Sequence, residues 1–493
     1  MTTLQDLSVP AEILNWIGGE ERSAISRTFF DKLNPANGIL LSRVARSLSE
    51  DILQAVAAAK AAQAGWAAVP PVKRGEMLLE VAMSLKAQRK DVARIVAAET
   101  GKSYRDALGE TDAAVNQGVF MAGEGQRLYG RTTTSAVQNK QAMTIREPMG
   151  VAGLIIAANT PIANAAWKVF PALICGNTAV LKAAEDTPAT AWAFSKIAHD
   201  AGLPAGVLNV VNGYGEEAGA PLVQHPDVSV ISFTGSTAVG RRIAVEAGSR
   251  LAKISLELGG KNALVVCDDA DLDSARKWVL LSAFSNAGQR CASGSRIIIF
   301  DQIYDRFRQM LIEACEKLRI GTNDEADFGP VINERQLRNM LEAIERARQD
   351  GATILTGGYR LTDNEHRHGY YLAPTLVENA SPNAEISVKE LFGPIASLYR
   401  VKDFAAALAL TNNSSYGLTA CIHTRNVHRA IEFTKKVQSG VAVVNAGTFG
   451  SEAHMPFGGV KQSGNGSREP GTEALDVYSN LKDVYISIDP DLV

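Results

Sequence analysis

The pattern of apolar and polar positions changes period along the chain. Residues 51–99 carry apolar positions at helical spacing and predict two long amphipathic helices that are interrupted at Val69-Pro70-Pro71. Further along, short continuous apolar runs alternate with helix-like segments, and this alternation predicts an α/β fold with parallel sheets. The predicted strands lie at residues 151–158, 178–182, 208–211 and 228–233.

Local signals mark the ends of these elements. Thr160-Pro161 and Thr187-Pro188 each place a capping residue before a proline at the first helical position, and Gly176 ends the first of these helices. The segment Tyr129–Arg146 is polar and β-branched without a core-like stripe, so it predicts an exposed hairpin or arm. An arm for subunit contact and a plain surface excursion both fit that segment.

Length and composition narrow the class of protein. A chain of 493 residues predicts two or three domains. The net charge of −3 gives no electrostatic case for a nucleic-acid or membrane partner. The first residues lack the basic start and apolar core of a signal peptide, and no apolar run is long enough to span a bilayer. The five scattered cysteines form no CxxC pair, so we expect neither disulfides nor a metal site, and a cytoplasmic location.

Two stretches predict a nucleotide site. The spacing Gly213-x-Gly215-x-x-Ala218 matches a dinucleotide fingerprint only weakly, and a loop glycine cluster explains it as well. The stretch FTGSTAVG is more informative, because Gly235 and Ser236 precede a predicted helix whose N-terminus could bind an anion. Lys182 and Glu185 follow another strand, where they could hold ribose hydroxyls or form a solvated pair.

Three further residues carry candidate chemistry. Cys291 lies in the loop FSNAGQRCASGS between small residues that leave a thiol accessible, whereas the other cysteines suit a core. Glu257 ends an apolar strand and is either a base with a raised pKa or a solvent-facing residue. Asn159 could cap a helix or donate to an oxyanion, and Arg290 could lower the thiol pKa or point away from it.

Together these segments resemble the NAD(P)-dependent, non-phosphorylating aldehyde dehydrogenase superfamily. The resemblance runs in order over about residues 15–485, and Glu257 precedes Cys291 by 34 residues, which agrees with the family spacing. The tail after residue 463 is similar to branches that oxidise semialdehydes. The matching motifs are GLIIAANTP, LKAAEDTP, FTGSTAVG, LELGGKN, NAGQRC, ELFGP, NNSSYGL and MPFGGVKQSGNG.

The resemblance implies a mechanism, a cofactor and an architecture. Cys291 would attack the aldehyde, Asn159 would hold the oxyanion, and Glu257 would activate the water that hydrolyses the thioester. NAD is favoured over NADP, because a carboxylate at the ribose would repel a 2′-phosphate. The implied cofactor-binding residues are Ile156, Lys182, Glu185, Gly215, Phe233, Gly235, Ser236, Gly259, Glu390 and Phe392. The implied substrate-binding residues are Asn164, Trp167, Arg290, Ala292 and Phe449, with Phe284 beside them in the tunnel.

The implied fold has a variant Rossmann cofactor domain at residues 1–126 and 147–259 and a catalytic domain at 260–468. Residues 127–146 and 469–493 would form an oligomerisation arm and tail, which implies a homodimer or homotetramer. Ala158 and Thr160 replace bulkier residues common beside the catalytic asparagine, so a functionalised or carboxylated aldehyde is the favoured substrate. One alternative is a CoA-acylating semialdehyde dehydrogenase, which typically lacks the glutamate. The other is a catalytically silent structural member, which would have lost the thiol, amide or base.

Overall fold

The computed structural model describes residues 7–492. Part of the N-terminal segment that shows no signal-peptide pattern, residues 1–6, lies outside the described residues. Within the described range, none of the helices combines the length and the apolar character that crossing a membrane requires.

In the first half of the described chain, residues 49–124 form four consecutive helices, and strands and helices alternate from residue 151 onward. Its strands are β1 (Glu12–Ile13), β2 (Asn15–Ile17), β3 (Glu20–Arg22), β4 (Phe29–Leu33), β5 (Leu40–Ala45), β6 (Thr132–Thr134), β7 (Lys140–Pro148), β8 (Val151–Ile155), β9 (Thr178–Lys182), β10 (Leu208–Val211), β11 (Val228–Thr234) and β12 (Lys253–Glu257). Its helices are α1 (Ser49–Ala68), α2 (Pro71–Ala87), α3 (Arg89–Thr100), α4 (Tyr104–Glu124), α5 (Pro161–Ile174), α6 (Pro188–Asp200), α7 (Ala220–Gln224) and α8 (Thr237–Ser249).

The second half repeats the alternation around another sheet. Its strands are β13 (Asn262–Val266), β14 (Gly294–Phe300), β15 (Thr353–Thr356), β16 (Thr375–Glu378), β17 (Ile395–Val401), β18 (Tyr416–Gly417), β19 (Thr419–His423), β20 (Val441–Val444), β21 (Val460–Lys461) and β22 (Ser479–Ser487). Its helices are α9 (Leu272–Phe284), α10 (Asp301–Cys315), α11 (Glu334–Gln349), α12 (Glu385–Val388), α13 (Phe404–Asn412), α14 (Val427–Lys436) and α15 (Ala474–Tyr478).

Two seven-stranded sheets organise these elements. The first has the order β12-β11-β8-β9-β10-β2-β3, and its strands from β12 to β10 are parallel. The second has the order β15-β16-β17-β14-β13-β19-β20 and is parallel from β16 to β20. The predicted α/β class with parallel sheets is therefore confirmed, and every residue of β8, β9 and β10 is buried because helices cover both faces.

The N-terminal helical region differs from the prediction. Residues 51–99 belong to three helices rather than two, because the chain breaks at Gln88 between α2 and α3 as well as at Pro70. No proline or glycine marks Gln88, so the apolar pattern runs through the break without a local signal.

The predicted arm forms a separate sheet. β6, β7 and β22 pair antiparallel in the order β22-β7-β6, so residues near 140 meet the C-terminal tail. Several large apolar side chains of this sheet are exposed, among them Ile145, Leu481 and Tyr485. The arm and the C-terminal strand therefore form one three-stranded sheet that exposes apolar side chains.

Candidate active site

Asn159 lies in the irregular link between β8 and α5, at the carboxyl end of the first sheet. Its side-chain Nδ2 donates to the carbonyl of Gln289 at 3.0 Å, which ties it to the loop that carries Cys291. The second N–H of that amide is left for another acceptor. The expected amide donor therefore lies beside the expected nucleophile's loop.

The loop before Cys291 has an uncommon backbone. Asn286, Ala287 and Gly288 all have positive φ, between 54° and 65°. At Gly288 a Cβ would lie 2.0 Å from the carbonyl oxygen of Gly393, so no larger residue fits there. Gly288 is thus required by this left-handed turn.

Cys291 follows the turn and is partly buried, while Cys175, Cys267, Cys315 and Cys421 are buried. Burial, followed by the nearby carboxylates of Glu390 and Glu257, raises the pKa of the Cys291 thiol to about 12. Arg290 acts in the opposite direction but more weakly than burial. The sequence allowed Arg290 to lower the thiol pKa, but its effect does not offset that of burial.

Glu257 ends β12 and is 5% exposed, so the reading of a solvent-facing strand residue is wrong. Both of its carboxylate oxygens are buried and have no hydrogen-bond partner among the described residues. Burial, followed by the charge of Glu469, raises the pKa of Glu257 well above its ordinary value. The ammonium group of Lys168, which pairs with Glu469 at 2.8 Å, lowers the pKa of Glu257, but less than burial and Glu469 raise it.

Glu390 lies against the turn that follows β12. One of its oxygens accepts a hydrogen bond from the backbone N–H of Gly260 at 3.0 Å. A Cβ on Gly259 would lie only 1.9 Å from its other oxygen, so the close approach requires glycine. Burial raises the pKa of Glu390 to about 7. Phe392, two residues on, has a left-handed backbone with φ of 56°.

Three neighbouring cavities share lining residues. A cavity of 570 Å³ opens beside the first sheet, and Arg335 lines both it and a second cavity of 160 Å³. Asn159 lines that second cavity and a third one of 510 Å³. Asn159 is therefore at the junction between a path along the carboxyl edge of the first sheet and a separate chamber that Cys291 lines.

The largest of these cavities contains several predicted cofactor residues. Glu185, Gly215 and Phe233 line it. Lys182 lies beneath, 2% exposed and 3.3 Å from Glu185, so the pair is anchored rather than fully solvated. Ile156 does not line this cavity: its side chain packs in the core, and the neighbouring Ile155 lines the cavity because successive side chains alternate across a strand end.

Ser236 and Gly235 lie at the start of α8. The hydroxyl of Ser236 accepts from the backbone N–H of Val239 at 3.4 Å and caps the helix. Gly235 approaches the ring of Phe233, where a Cβ would lie 2.5 Å away. The helix N-terminus predicted from FTGSTAVG is therefore present at the edge of the sheet.

The chamber beside Cys291 holds most of the predicted substrate residues. Trp167, Arg290, Ala292 and Phe449 line it. Asn164 does not, because its amide turns back to the carbonyl and hydroxyl of Thr160, at 2.9 Å each. Phe284 does not either, since it is 1% exposed and its ring stacks on Phe328 in the core.

Sequence reasoning missed several residues of the same chamber. Lys102 and Glu110 line it and form a buried ion pair at 2.6 Å, although they come from the N-terminal helical region. Arg335 and Asn286 also lie on the path between the cavities. Asn286 lies within the motif NAGQRC, but no motif quoted above contains Lys102, Glu110 or Arg335, because these three reach the site only through tertiary packing.

Comparison with known proteins identifies the family. The profile of the aldehyde dehydrogenase family matches residues 21–484. The chain belongs to the aldehyde dehydrogenase family. It is 37% identical to the alpha-ketoglutaric semialdehyde dehydrogenase of Bacillus subtilis strain 168, over 96% of this chain and 98% of that protein.

Solved aldehyde dehydrogenases have the same fold. A betaine aldehyde dehydrogenase from Staphylococcus aureus, solved in complex with NAD+, matches with a TM-score of 0.95 and 30% identity over 97% of this chain and 95% of that one. An aldehyde dehydrogenase mutant from Bacillus cereus matches with a TM-score of 0.94 and 33% identity over 97% of both chains. The predicted aldehyde dehydrogenase fold, and the interpretation of the chain as an oxidoreductase of this family, are confirmed.

Proposed function

We propose that the protein oxidises an aldehyde to the carboxylic acid with NAD+ through a thioester on Cys291. The observation that carries this proposal is the position of Asn159, which lines both the chamber of Cys291 and the path that leads to Glu185. A donor at that junction can hold the oxygen of a carbonyl that sits between thiol and cofactor.

The residues can perform the chemistry in two stages. The thiol of Cys291 first loses its Sγ–H proton to solvent. The thiolate Sγ then bonds to the aldehyde carbon, and the electrons of the carbonyl double bond move to the oxygen, which becomes an oxyanion near the N–H of Asn159. The aldehyde hydrogen leaves with its bonding electrons, for which NAD+, when bound, supplies the acceptor. Glu257 then takes a proton from water, the water oxygen bonds to the acyl carbon, and the carbon–sulfur bond breaks to return the thiolate.

The residues present fit this cofactor. Glu185 provides a carboxylate at one end of the 570 Å³ cavity, and the capped N-terminus of α8 provides an anion site close by. Glu390 accepts a hydrogen bond from the backbone N–H of Gly260, and Phe392, two residues on, lines the 160 Å³ cavity. Lys182 and Ser236 would assist at the ribose and pyrophosphate, and a carboxylate at Glu185 favours NAD over NADP.

We propose that the substrate is a carboxylated or otherwise anionic aldehyde, because a cationic residue, Arg290, lines the chamber of Cys291. Its side chain lines the chamber with the guanidinium 5.0 Å from the centre of the Phe449 ring. Its buried Nε has no hydrogen-bond partner among residues 7–492. A buried guanidinium with unused donors suits a carboxylate. The 37% identical relative named for a semialdehyde agrees with this assignment.

The test measures reduced nicotinamide with NAD+ and matched pairs of aldehydes, one neutral and one with a terminal carboxylate, with and without CoA. We expect turnover without CoA and a preference for the carboxylated aldehyde. Arg290→Met should raise KM for that aldehyde by about 10- to 100-fold, the equivalent of one charged hydrogen bond. It should leave the neutral aldehyde nearly unchanged. A strict CoA requirement would assign the alternative acylating reaction, and no turnover with any aldehyde would favour a silent member.

We also propose the domain division and the oligomer. The first sheet supports a cofactor domain formed by residues 1–126 and 147–259, and the second supports a catalytic domain at 260–468. The exposed apolar side chains of the arm, Leu481 and Tyr485 among them, support burial against a second copy in a homodimer or homotetramer. Leu481→Asp should lower the mass measured by light scattering, whereas an unchanged mass would remove the arm from the interface.

A further inference from the structure

The buried pair Lys102–Glu110 contacts the catalytic amide's own backbone. The Nζ of Lys102 donates to Glu110 at 2.6 Å and to the main-chain carbonyl of Asn159 at 2.8 Å. Both charged side chains are nearly inaccessible, at 4% and 6% exposure. A desolvated ammonium on a peptide carbonyl is a short-range and directional restraint, since both partners have given up water.

Glu110 extends the same restraint to the residues just beyond. Its second oxygen accepts from the backbone N–H of Ile162 at 3.1 Å and lies 3.5 Å from that of Ala163. These amides belong to the first turn of α5, where the helix leaves its N–H groups unpaired. One ion pair therefore restrains the link on both sides of Thr160, the residue that precedes α5.

Asn286 completes the arrangement from the nucleophile's loop. Its amide donates to the carbonyl of Asn159 and to that of Gln289, both at 3.2 Å. The carbonyl of Gln289 also accepts from the Asn159 side chain at 3.0 Å. Hydrogen bonds therefore restrain both the main-chain carbonyl and the side-chain amide of Asn159. Together they set the direction of the second N–H of that amide.

We propose that Lys102 and Glu110 are positioning residues that hold the Asn159 amide in the orientation in which it stabilises the oxyanion. They act through Asn159 and do not touch the reacting atoms. The inference rests on the proposed function, because it assigns the amide a role in that reaction.

The test is a double-mutant cycle in the full-length enzyme, read as the single-turnover rate of nicotinamide reduction at saturating NAD+. Lys102→Met should lower this rate by about tenfold in the wild-type background. In an Asn159→Ala background, where there is no amide left to position, the same change should cost less than about twofold. Lys102→Arg, which keeps the charge and the donor, should recover most of the rate.

Arg74→Met is the matched control. Arg74 is also a buried cation on backbone carbonyls, but it binds the opposite end of α5 at the carbonyl of Ile174, at 3.0 Å. Its loss should lower the melting temperature and change the rate by equal factors in both backgrounds. If Lys102→Met lowers the single-turnover rate by the same factor in the wild-type and Asn159→Ala backgrounds, the proposal is overturned and the pair has a general structural role.

Two further measurements keep the outcomes separate. If Lys102→Met does not fold, Lys102→Met/Glu110→Gln removes both charges together and is carried through the same cycle, because it leaves no unpaired buried ion. An inactive wild-type enzyme would refute the proposed function itself, whereas an active wild-type enzyme with additive variants refutes only the positioning role.

Discussion

Replacing Gly259 by alanine should disable the cofactor end of the site while leaving the fold intact. The new Cβ would lie 1.9 Å from one oxygen of Glu390 and 2.7 Å from its carboxyl carbon. The carboxylate must then move by about 1.5 Å to reach an ordinary contact distance. That movement breaks the 3.0 Å hydrogen bond from Gly260.

The size of the effect follows from the displacement. A misplacement of about 1 Å in a group that orients a reactant can cost about 100-fold in rate. We therefore expect Gly259→Ala to lower kcat/KM for NAD+ by about 100-fold, measured by the absorbance of reduced nicotinamide. Thioester hydrolysis should be nearly unchanged, because the three atoms nearest the added methyl group all belong to Glu390 and none to Glu257.

The control and the refutation use the same measurement. Gly248→Ala lies inside α8 with nothing within 4 Å of the added Cβ, so it should leave activity unchanged. In a Glu390→Ala background there is no carboxylate to displace, and Gly259→Ala should add less than about a twofold loss. A Gly259→Ala enzyme with wild-type kinetics, or an equal loss in both backgrounds, would show that the contact with Glu390 does not set the rate.

Three further predictions concern the thiol, the base and the ribose contact. Cys291→Ala should abolish oxidation, whereas Cys175→Ala should keep most activity; the reverse rates would refute the assignment of the nucleophile. Thioester hydrolysis should fall as pH drops through the raised pKa of Glu257, because only its ionised form accepts a proton, and Glu257→Gln should remove that dependence in pre-steady-state kinetics. Glu185→Gln should raise kcat/KM for NADP+ relative to NAD+ by about tenfold through lost repulsion of the 2′-phosphate, and an unchanged ratio would argue against the ribose contact.

Local signals predicted the first sheet well. The strand at 178–182 has the same limits in the structure, and the Thr-Pro starts of α5 and α6 were located because capping and proline chemistry act within a few residues. The break at Gln88 carries no such signal. Boundaries were therefore predictable where sequence-local chemistry determines them, and not where packing alone does.

The residues of the site also separate into those that local sequence predicts and those that only tertiary packing brings together. Cys291, Glu257 and Asn159 each lie at the end of a strand or after a glycine-containing turn, so the residues next to them in the sequence were enough to predict them. Lys102 reaches Asn159 across 57 residues and Lys168 reaches Glu469 across 301, and neither distance leaves a periodic trace. Arg290 was ambiguous for a related reason, since the side-chain direction of a loop residue depends on what packs against it.

The electrostatics of the site disfavour ionisation of the thiol. Burial and two neighbouring carboxylates hold the pKa of Cys291 near 12, and burial holds that of Glu390 near 7. Glu257 and Glu390 both oppose ionisation of the thiol, so each group that remains neutral makes the thiolate easier to form. Positive charge brought into the path beside Asn159 would act on all three groups in the same direction, because it stabilises every anion there. The same burial therefore disfavours both the Cys291 thiolate and the Glu257 carboxylate, and the two ionisations oppose each other.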